Sequence, residues 1–184
     1  MDVMTAIFER RAIRAYTSDP VERPRIDALI EAAIQAPSAR DLEPWAFAVF
    51  SGRDRLRGFA EEVREFLLAS PAALGSVDLR AKWSDPAFDV FYGAPVLVVI
   101  CATSGESQAA EDCCLAAQNL MLAARAAGLG SCPIGLARPW LARPSTKEKL
   151  GIPAGYVPVF PVILGRPAEH PERRPRRPPS VIWR

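Results

Sequence analysis

The sequence predicts an α+β fold: a central mixed β-sheet flanked by helices, with one long helix in the core. Three observations carry this. Val96-Leu97-Val98-Val99-Ile100 is a short, unbroken apolar run with the branched composition of a strand buried on both faces. The stretch from Glu106 to Ala127 is nearly all Ala, Leu, Cys and Met from Cys113 onward, too long for a strand and interrupted only by Gln118, Asn119 and Arg125. Helical and strand patterns also alternate without the regular βαβ rhythm of a doubly wound sheet.

The elements follow in order. A first helix is expected over about Asp2 to Arg11, with Val3, Ile7, Met4 and Phe8 as its apolar stripe. A second begins after Arg23, because Pro24 suits a first helical turn. Ile26, Leu29, Ile30, Ala33 and Ile34 then recur with the spacing of one buried face, and Pro37 ends the segment. Ala46 to Phe50 reads as a short buried strand bounded by Gly52. Leu56, Phe59, Val63, Phe66 and Leu67 mark a third, amphipathic helix. Pro71 to Pro86 breaks the periodicity.

After the central strand, Gly128 supplies the stop for the long helix. A strand is expected near Ser131 to Leu136, and then a short helix capped by Ser145 with Glu148 in capping-box register. Val157 to Leu164 forms a further strand, whose Pro158 and Pro161 predict an edge position or irregular pairing. From residue 166 to 184 the chain is a tail rich in arginine and proline. It is either disordered or laid over another surface, and the apolar end Val181-Ile182-Trp183 favours the second.

At 184 residues the chain reads as one domain, 1–184. A net charge of +2 gives no case for nucleic acid, and no aromatic platform accompanies the basic tail. Arginine outnumbers lysine 20 to 3. The four cysteines, Cys101, Cys113, Cys114 and Cys132, lack metal-ligand spacing, so no metal site is expected. Cys113 and Cys114 read as small core residues. The region after Met1 does not resemble a signal peptide, and no window reaches the ~20 apolar residues of a membrane span. The expectation is a cytoplasmic protein with no membrane partner.

The chemistry concentrates in Arg10-Arg11-Ala12-Ile13-Arg14, where three guanidiniums fall within five positions. Such a cluster is either a solvated basic face or an anion site, since an arginine fork fits phosphate oxygens bidentately. A second segment, Ala36-Pro37-Ser38-Ala39-Arg40-Asp41-Leu42-Glu43-Pro44-Trp45, shifts the reading toward a bound phosphorylated cofactor. No G-x-G-x-x-G follows a strand, so a dinucleotide-binding Rossmann site has no support.

With these motifs, and with Tyr92-Gly93-Ala94-Pro95, Gly128 to Gly135, Leu150-Gly151-Ile152-Pro153 and Leu164-Gly165-Arg166-Pro167 in the same order, the chain resembles the FMN-dependent nitroreductase family nearly end to end. The resemblance implies a nitroreductase-like fold, FMN as cofactor and NADH or NADPH as electron donor. It implies a ping-pong reduction of a small electron-poor acceptor, a nitroaromatic or quinone. Other readings on this scaffold are a flavin carrier or sensor that does not turn over, and a flavin-fragmenting or dehydrogenating enzyme.

By the same resemblance, Arg10, Arg11 and Arg14 hold the FMN phosphate and ribityl chain beside Ala12. Arg176, with Arg174 or Arg177, adds a second basic contact. The Pro133, Ile134, Gly135 and Leu136 loop turns backbone N–H groups to the flavin ring, where Gly135 permits a close approach. Pro37, Ser38, Ala39, Asp41 and Glu43 reach the flavin from the other subunit of a homodimer, with FMN at the interface and the tail wrapping the partner. No catalytic side chain is implied, because the chemistry belongs to the cofactor.

The chain departs from the family at three positions. Ala12 stands where a serine is frequent, a loss of roughly 1 kcal/mol. Asp41 and Glu43 stand where asparagine and glutamine are usual, and ionised carboxylates only accept hydrogen bonds. They either face the ring and lower its potential, or turn away toward Arg40 or solvent.

Overall fold

A computed structural model describes residues 1–69, 83–172 and 175–184. Most of the irregular Pro71–Pro86 segment, and Arg174, lie outside the described residues. The elements run α1 (Val3–Glu9), α2 (Arg23–Ala33), a 3₁₀ turn (Ala39–Asp41), β1 (Trp45–Ser51), α3 (Arg53–Ala69) and β2 (Val96–Ala102). They continue with α4 (Ser107–Ala126), β3 (Gly130–Pro133), a 3₁₀ turn (Gly135–Ala137), α5 (Arg138–Leu141), α6 (Pro144–Leu150) and β4 (Val157–Gly165).

The sheet order is β1-β2-β4-β3, and every pairing between these strands is antiparallel. The α+β class is as expected. Among the described residues the expected mixed character is confined to one parallel bridge, Ala12 to Ser131.

All seven residues of β2 are buried, as a strand covered on both faces requires. Alternate side chains serve two cores. Leu97, Val99 and Cys101 join Leu56, Phe59, Val63 and Leu67 of α3, together with Trp83, Phe91 and Trp140. Val96, Val98 and Ile100 meet Ile26 and Leu29 of α2 and Cys113, Ala117, Leu120 and Ala124 of α4. At ~1.5–3 kcal/mol for each large aliphatic side chain removed from water, this layer is the main stabilising element of the domain.

Local chemistry sets the ends of the elements. Pro24 lies in the first turn of α2. At the end of α4, Gly128 has φ +74°, and the amides of Gly128 and Leu129 bond back to the carbonyls of Arg125 and Ala124 at 3.1 and 2.8 Å. This double closure stops the helix where the glycine predicts.

Several expectations are corrected. The strand expected over Ser131–Leu136 ends at Pro133, and the chain turns into 3₁₀ geometry at Gly135. Pro133 has no amide to extend the ladder, and Ile134 donates instead to the Pro161 carbonyl at 2.9 Å. Ser145 does not cap α6. Pro144 takes the first helical turn and Arg143 becomes the N-cap without a side-chain bond.

β4 is not an edge strand along its whole length. Its second half lies between β2 and β3, while the first half, with Pro158 and Pro161, runs beyond β3 and carries a bulge opposite Ile100 and Cys101. The prolines thus sit where one side of the strand needs no amide donors. The Cys113–Cys114 pair splits, with Cys113 buried and Cys114 exposed. Neighbours on a helix point roughly 100° apart, so one buried face cannot hold both.

The apolar stripe of α1 also lies outside the core. Val3, Met4, Ile7 and Phe8 are exposed and only Ala6 is buried. Leu115 on the outer face of α4 is exposed as well. Among the described residues beyond 170 none is in a helix or strand, and Trp183 is 88% exposed.

Candidate functional site

The arginine segment leaves α1 in extended conformation and crosses the end of β3. Arg10 is the C-cap of α1, with its amide bonded to the Ala6 carbonyl at 2.9 Å. Ile13 donates to the Ser131 carbonyl at 3.0 Å, which aligns residues 12 and 13 against β3. The fit is close because residue 130 is glycine. A β-carbon there would stand 2.8 Å from Cγ1 and 2.9 Å from Cβ of Ile13. Further on, Thr17 donates to the Arg166 carbonyl at 3.0 Å and Ala168 to the Ala15 carbonyl at 2.9 Å. These bonds tie the root of the tail to the same segment.

The tail brings Arg176 near enough for its charge to act on Arg10. Burial first, and then the guanidiniums of Arg176 and Arg11, depress the Arg10 pKa below the ordinary arginine value. No carboxylate among the described residues pairs with Arg10, Arg11, Arg14 or Arg176. A helix C-terminus does not draw anions, so the side chains alone make the site electropositive.

The arginines divide the work. Arg11 donates through Nη1 to the carbonyls of Phe8 and Arg10 at 2.8 and 2.7 Å, closing the end of α1 and leaving its other donors over. Arg10 and Arg11 line a cleft of about 670 Å³ with Phe8, Ser131, His170 and the ion pair of Arg125 with Glu9 at 2.6 Å. Arg14 and the Pro133–Leu136 loop are outside its lining. Arg14 sits instead against Tyr92, with its guanidinium carbon 5.9 Å from the ring centroid, and its charge acts on the side chains of Tyr92 and Cys132. Burial pushes the Cys132 thiol up despite the pull of Arg14 and Arg10. The phenol of Tyr92 is raised by the same cause.

Cys132 leads directly into Pro133 and the exposed Gly135–Leu136 turn. The first intraturn donor of that turn is Ala137, to the Ile134 carbonyl at 3.1 Å. The amides of Gly135 and Leu136 precede it and are not used by the turn itself. Ile134 is buried and its amide is spent on Pro161.

The segment from Pro37 to Glu43 projects separately. Arg40, Asp41 and Glu43 all have left-handed backbone, at φ +56°, +54° and +46°. Each such non-glycine residue costs roughly 1–2 kcal/mol. The shape is held from below: Ala39 donates to both carboxylate oxygens of buried Asp112 at 3.2 Å, and Glu43 donates its amide to Ser38 Oγ at 3.0 Å. Arg40 pairs with Glu106 at 3.5 Å, so it does not take up Asp41 or Glu43, and both carboxylates are exposed. Pro37 is exposed too, and Arg177 lies in the exposed tail.

Asp112, Tyr92 and Asp89 are the residues that sequence reasoning missed as parts of this arrangement. A carboxylate inside the apolar α4 was a visible signal for the first. The D-x-x-Y-G spacing from Asp89 to Gly93 was a turn signal for the others.

Fold and site together define an α+β protein with a cluster of arginines between the end of its first helix, the edge strand β3 and its tail. Residues 7–166 match the model of the nitroreductase family, and the chain belongs to that family. It is 31% identical to a Methanothermobacter thermautotrophicus protein provisionally named NADH dehydrogenase/NAD(P)H nitroreductase, over 95% of this chain and 82% of that one. Nitroreductase NfnB of Mycolicibacterium smegmatis is 32% identical over 80% of this chain and 79% of its own. A Bacteroides fragilis nitroreductase solved with bound FMN superimposes with a TM-score of 0.82 at 26% identity, covering 100% of both chains.

Proposed function

We propose that this protein is an FMN-dependent oxidoreductase that takes hydride from NADH or NADPH and passes it to a small electron-poor acceptor, a nitroaromatic or quinone, in a ping-pong cycle. The observation that carries the reading is the group of unpaired arginines. Arg10 and Arg11 line one cleft, and Arg176 lies near enough for its charge to act on Arg10. The cleft's carboxylate, Glu9, is taken up by Arg125; among the described residues this leaves the three guanidiniums without a carboxylate, which fits the phosphate of FMN. The names of the relatives support the redox chemistry, since they include an FMN reductase [NAD(P)H] of Bacillus subtilis.

Bound FMN supplies hydride acceptance and delivery. The chain's residues bind and orient it. Arg10 and Arg176 neutralise the phosphate, and Arg14 lies against Tyr92 with its charge acting on Cys132, the residue that leads into the Gly135–Leu136 turn. Those amides offer donors to the polar edge of the ring. The protein acts as a cytoplasmic homodimer with the site at the subunit interface. The exposed apolar residues of α1, the exposed Leu115 and the apolar end of the tail support this, because a second subunit would take them out of water. In that dimer Pro37, Ser38, Ala39, Asp41 and Glu43 face the partner's flavin.

The test is direct. Purified protein carries a flavin absorbance band with about one FMN per chain, and oxidises NADH or NADPH steadily in the presence of a quinone or nitro compound. Protein that remains colourless after incubation with FMN refutes the proposal. Stoichiometric flavin without turnover supports the carrier reading instead.

A further inference from the structure

Tyr92 has the backbone of a glycine and the side chain of an aromatic. Its φ of +53° is followed by +65° at Gly93. A bulky side chain in this region is an outlier that only a surrounding structure can hold. The structure is there. The Asp89 carboxylate accepts the amides of Phe91 at 2.7 Å and Gly93 at 2.8 Å, and the Asp89 carbonyl accepts the amide of Tyr92 at 3.0 Å. Arg53 Nε donates to the Gly93 carbonyl at 2.7 Å from the other side.

The outcome of the strained turn is the placement of one ring. Tyr92 lies edge-on to Phe88, with centroids 5.9 Å apart, and Phe88 lies edge-on to buried Trp83 at 4.9 Å. The exposed guanidinium of Arg14 rests against this braced ring. Arginine has a long side chain with many rotamers, and among the described residues no carboxylate fixes Arg14. The ring and the Cys132 side chain are what define where its charge sits.

We infer that Tyr92 is a positioning residue that holds Arg14 toward the ring and ribityl portion of the flavin, apart from the phosphate contact made by Arg10 and Arg176. The inference rests on the proposed function. It goes beyond it by giving Tyr92, a residue with no role in that reading, the task of fixing Arg14, which lies outside the cleft that Arg10 lines.

The test is a double-mutant cycle read by flavin fluorescence, with FMN and riboflavin as ligands. Asparagine tolerates left-handed backbone, so Tyr92→Asn removes the ring and keeps the turn. Tyr92→Asn weakens both ligands by about 10-fold, within the range of a cation–π contact, while Tyr92→Phe keeps the ring and stays within about 3-fold of wild type. In an Arg14→Met background, Tyr92→Asn adds less than about 2-fold. A purely structural role for Tyr92 gives the same loss in both backgrounds, and that result overturns the inference. So does a Tyr92→Phe variant as weak as Tyr92→Asn, or a loss confined to FMN. If Tyr92→Asn does not fold, Tyr92→Leu takes its place in the cycle with the same criteria. A wild-type protein that binds neither ligand overturns the proposed function, and this inference falls with it. Additive losses on a wild type that binds FMN overturn the inference alone.

Discussion

Replacing Gly130 by alanine probes how the arginine segment is held. The new β-carbon would lie 2.8, 2.9 and 3.0 Å from Cγ1, Cβ and Cγ2 of Ile13. Comfortable carbon contacts are ~3.5–4.0 Å, so the overlap is about 0.5–1 Å at three atoms together. Ile13 is buried and its amide is fixed to Ser131, so it cannot swing aside. Overpacking of this kind costs roughly 1–3 kcal/mol. For a domain of this size that lowers Tm by roughly 3–10 °C. Because Ile13 lies between Arg11 and Arg14, the shift also moves the guanidiniums, and FMN affinity falls with stability. Thermal unfolding followed by circular dichroism, and FMN titration at 25 °C, read the two effects. Adding Ile13→Ala to Gly130→Ala makes room for the β-carbon, and the double variant is more stable than the sum of the single losses. A Gly130→Ala protein with unchanged Tm and unchanged FMN affinity would refute the close approach and the reasoning built on it.

Other predictions address separate features. Cys101, Cys113 and Cys132 are buried and only Cys114 is exposed, so alkylation at pH 8 followed by mass spectrometry finds one labelled cysteine in the native protein. Burial pushes the Cys101 thiol up to about 11 and the Cys113 thiol up to about 12. Their contribution to stability is therefore intact below the unfolded value near 9 and declines as pH rises above it, by up to roughly 1.4 kcal/mol per pH unit for each thiol. Urea titrations at pH 8 and pH 10 measure this, and equal or greater stability at pH 10 contradicts it. If Asp41 and Glu43 face the partner's flavin, the Asp41→Asn, Glu43→Gln double variant raises the flavin midpoint potential by about 10–40 mV, the scale of a charge ~8 Å away in a partly solvated site. A wild-type potential no lower than the variant's ends that reading. Glu43→Gly relieves left-handed strain at an exposed position and leaves stability unchanged or raises it by up to about 1 kcal/mol; a loss of more than that means Glu43 is anchored through its side chain.

The parts of the fold visible in the sequence are those where one local signal decides. β2 is legible because five consecutive branched residues need apolar cover on both faces. The end of α4 is legible because Gly128 alone accepts the left-handed closure. Competing signals hid the rest. Ser145 has the side chain of a cap, but Pro144 before it already occupies the first turn of α6. The α1 stripe has the spacing of a core face and yet points outward, because periodicity reports that a face wants cover and not which surface covers it. Arg10, Arg11 and Arg14 are legible as a cluster of charge. Their division is not, since it depends on Arg11 closing a helix end and Tyr92 bracing Arg14. Nor does the sequence reveal that the 38–43 loop hangs from Asp112, a residue far along the chain.

The central claim is that the arginines grip a flavin by its phosphate. Riboflavin is FMN without that group, so the ratio of the two dissociation constants isolates the grip. Two or three charge-assisted hydrogen bonds predict FMN binding at least about 100-fold tighter than riboflavin, with Arg10→Met and Arg176→Met each removing much of the difference while leaving riboflavin affinity unchanged. Dissociation constants for FMN and riboflavin within about 3-fold of each other would contradict the account.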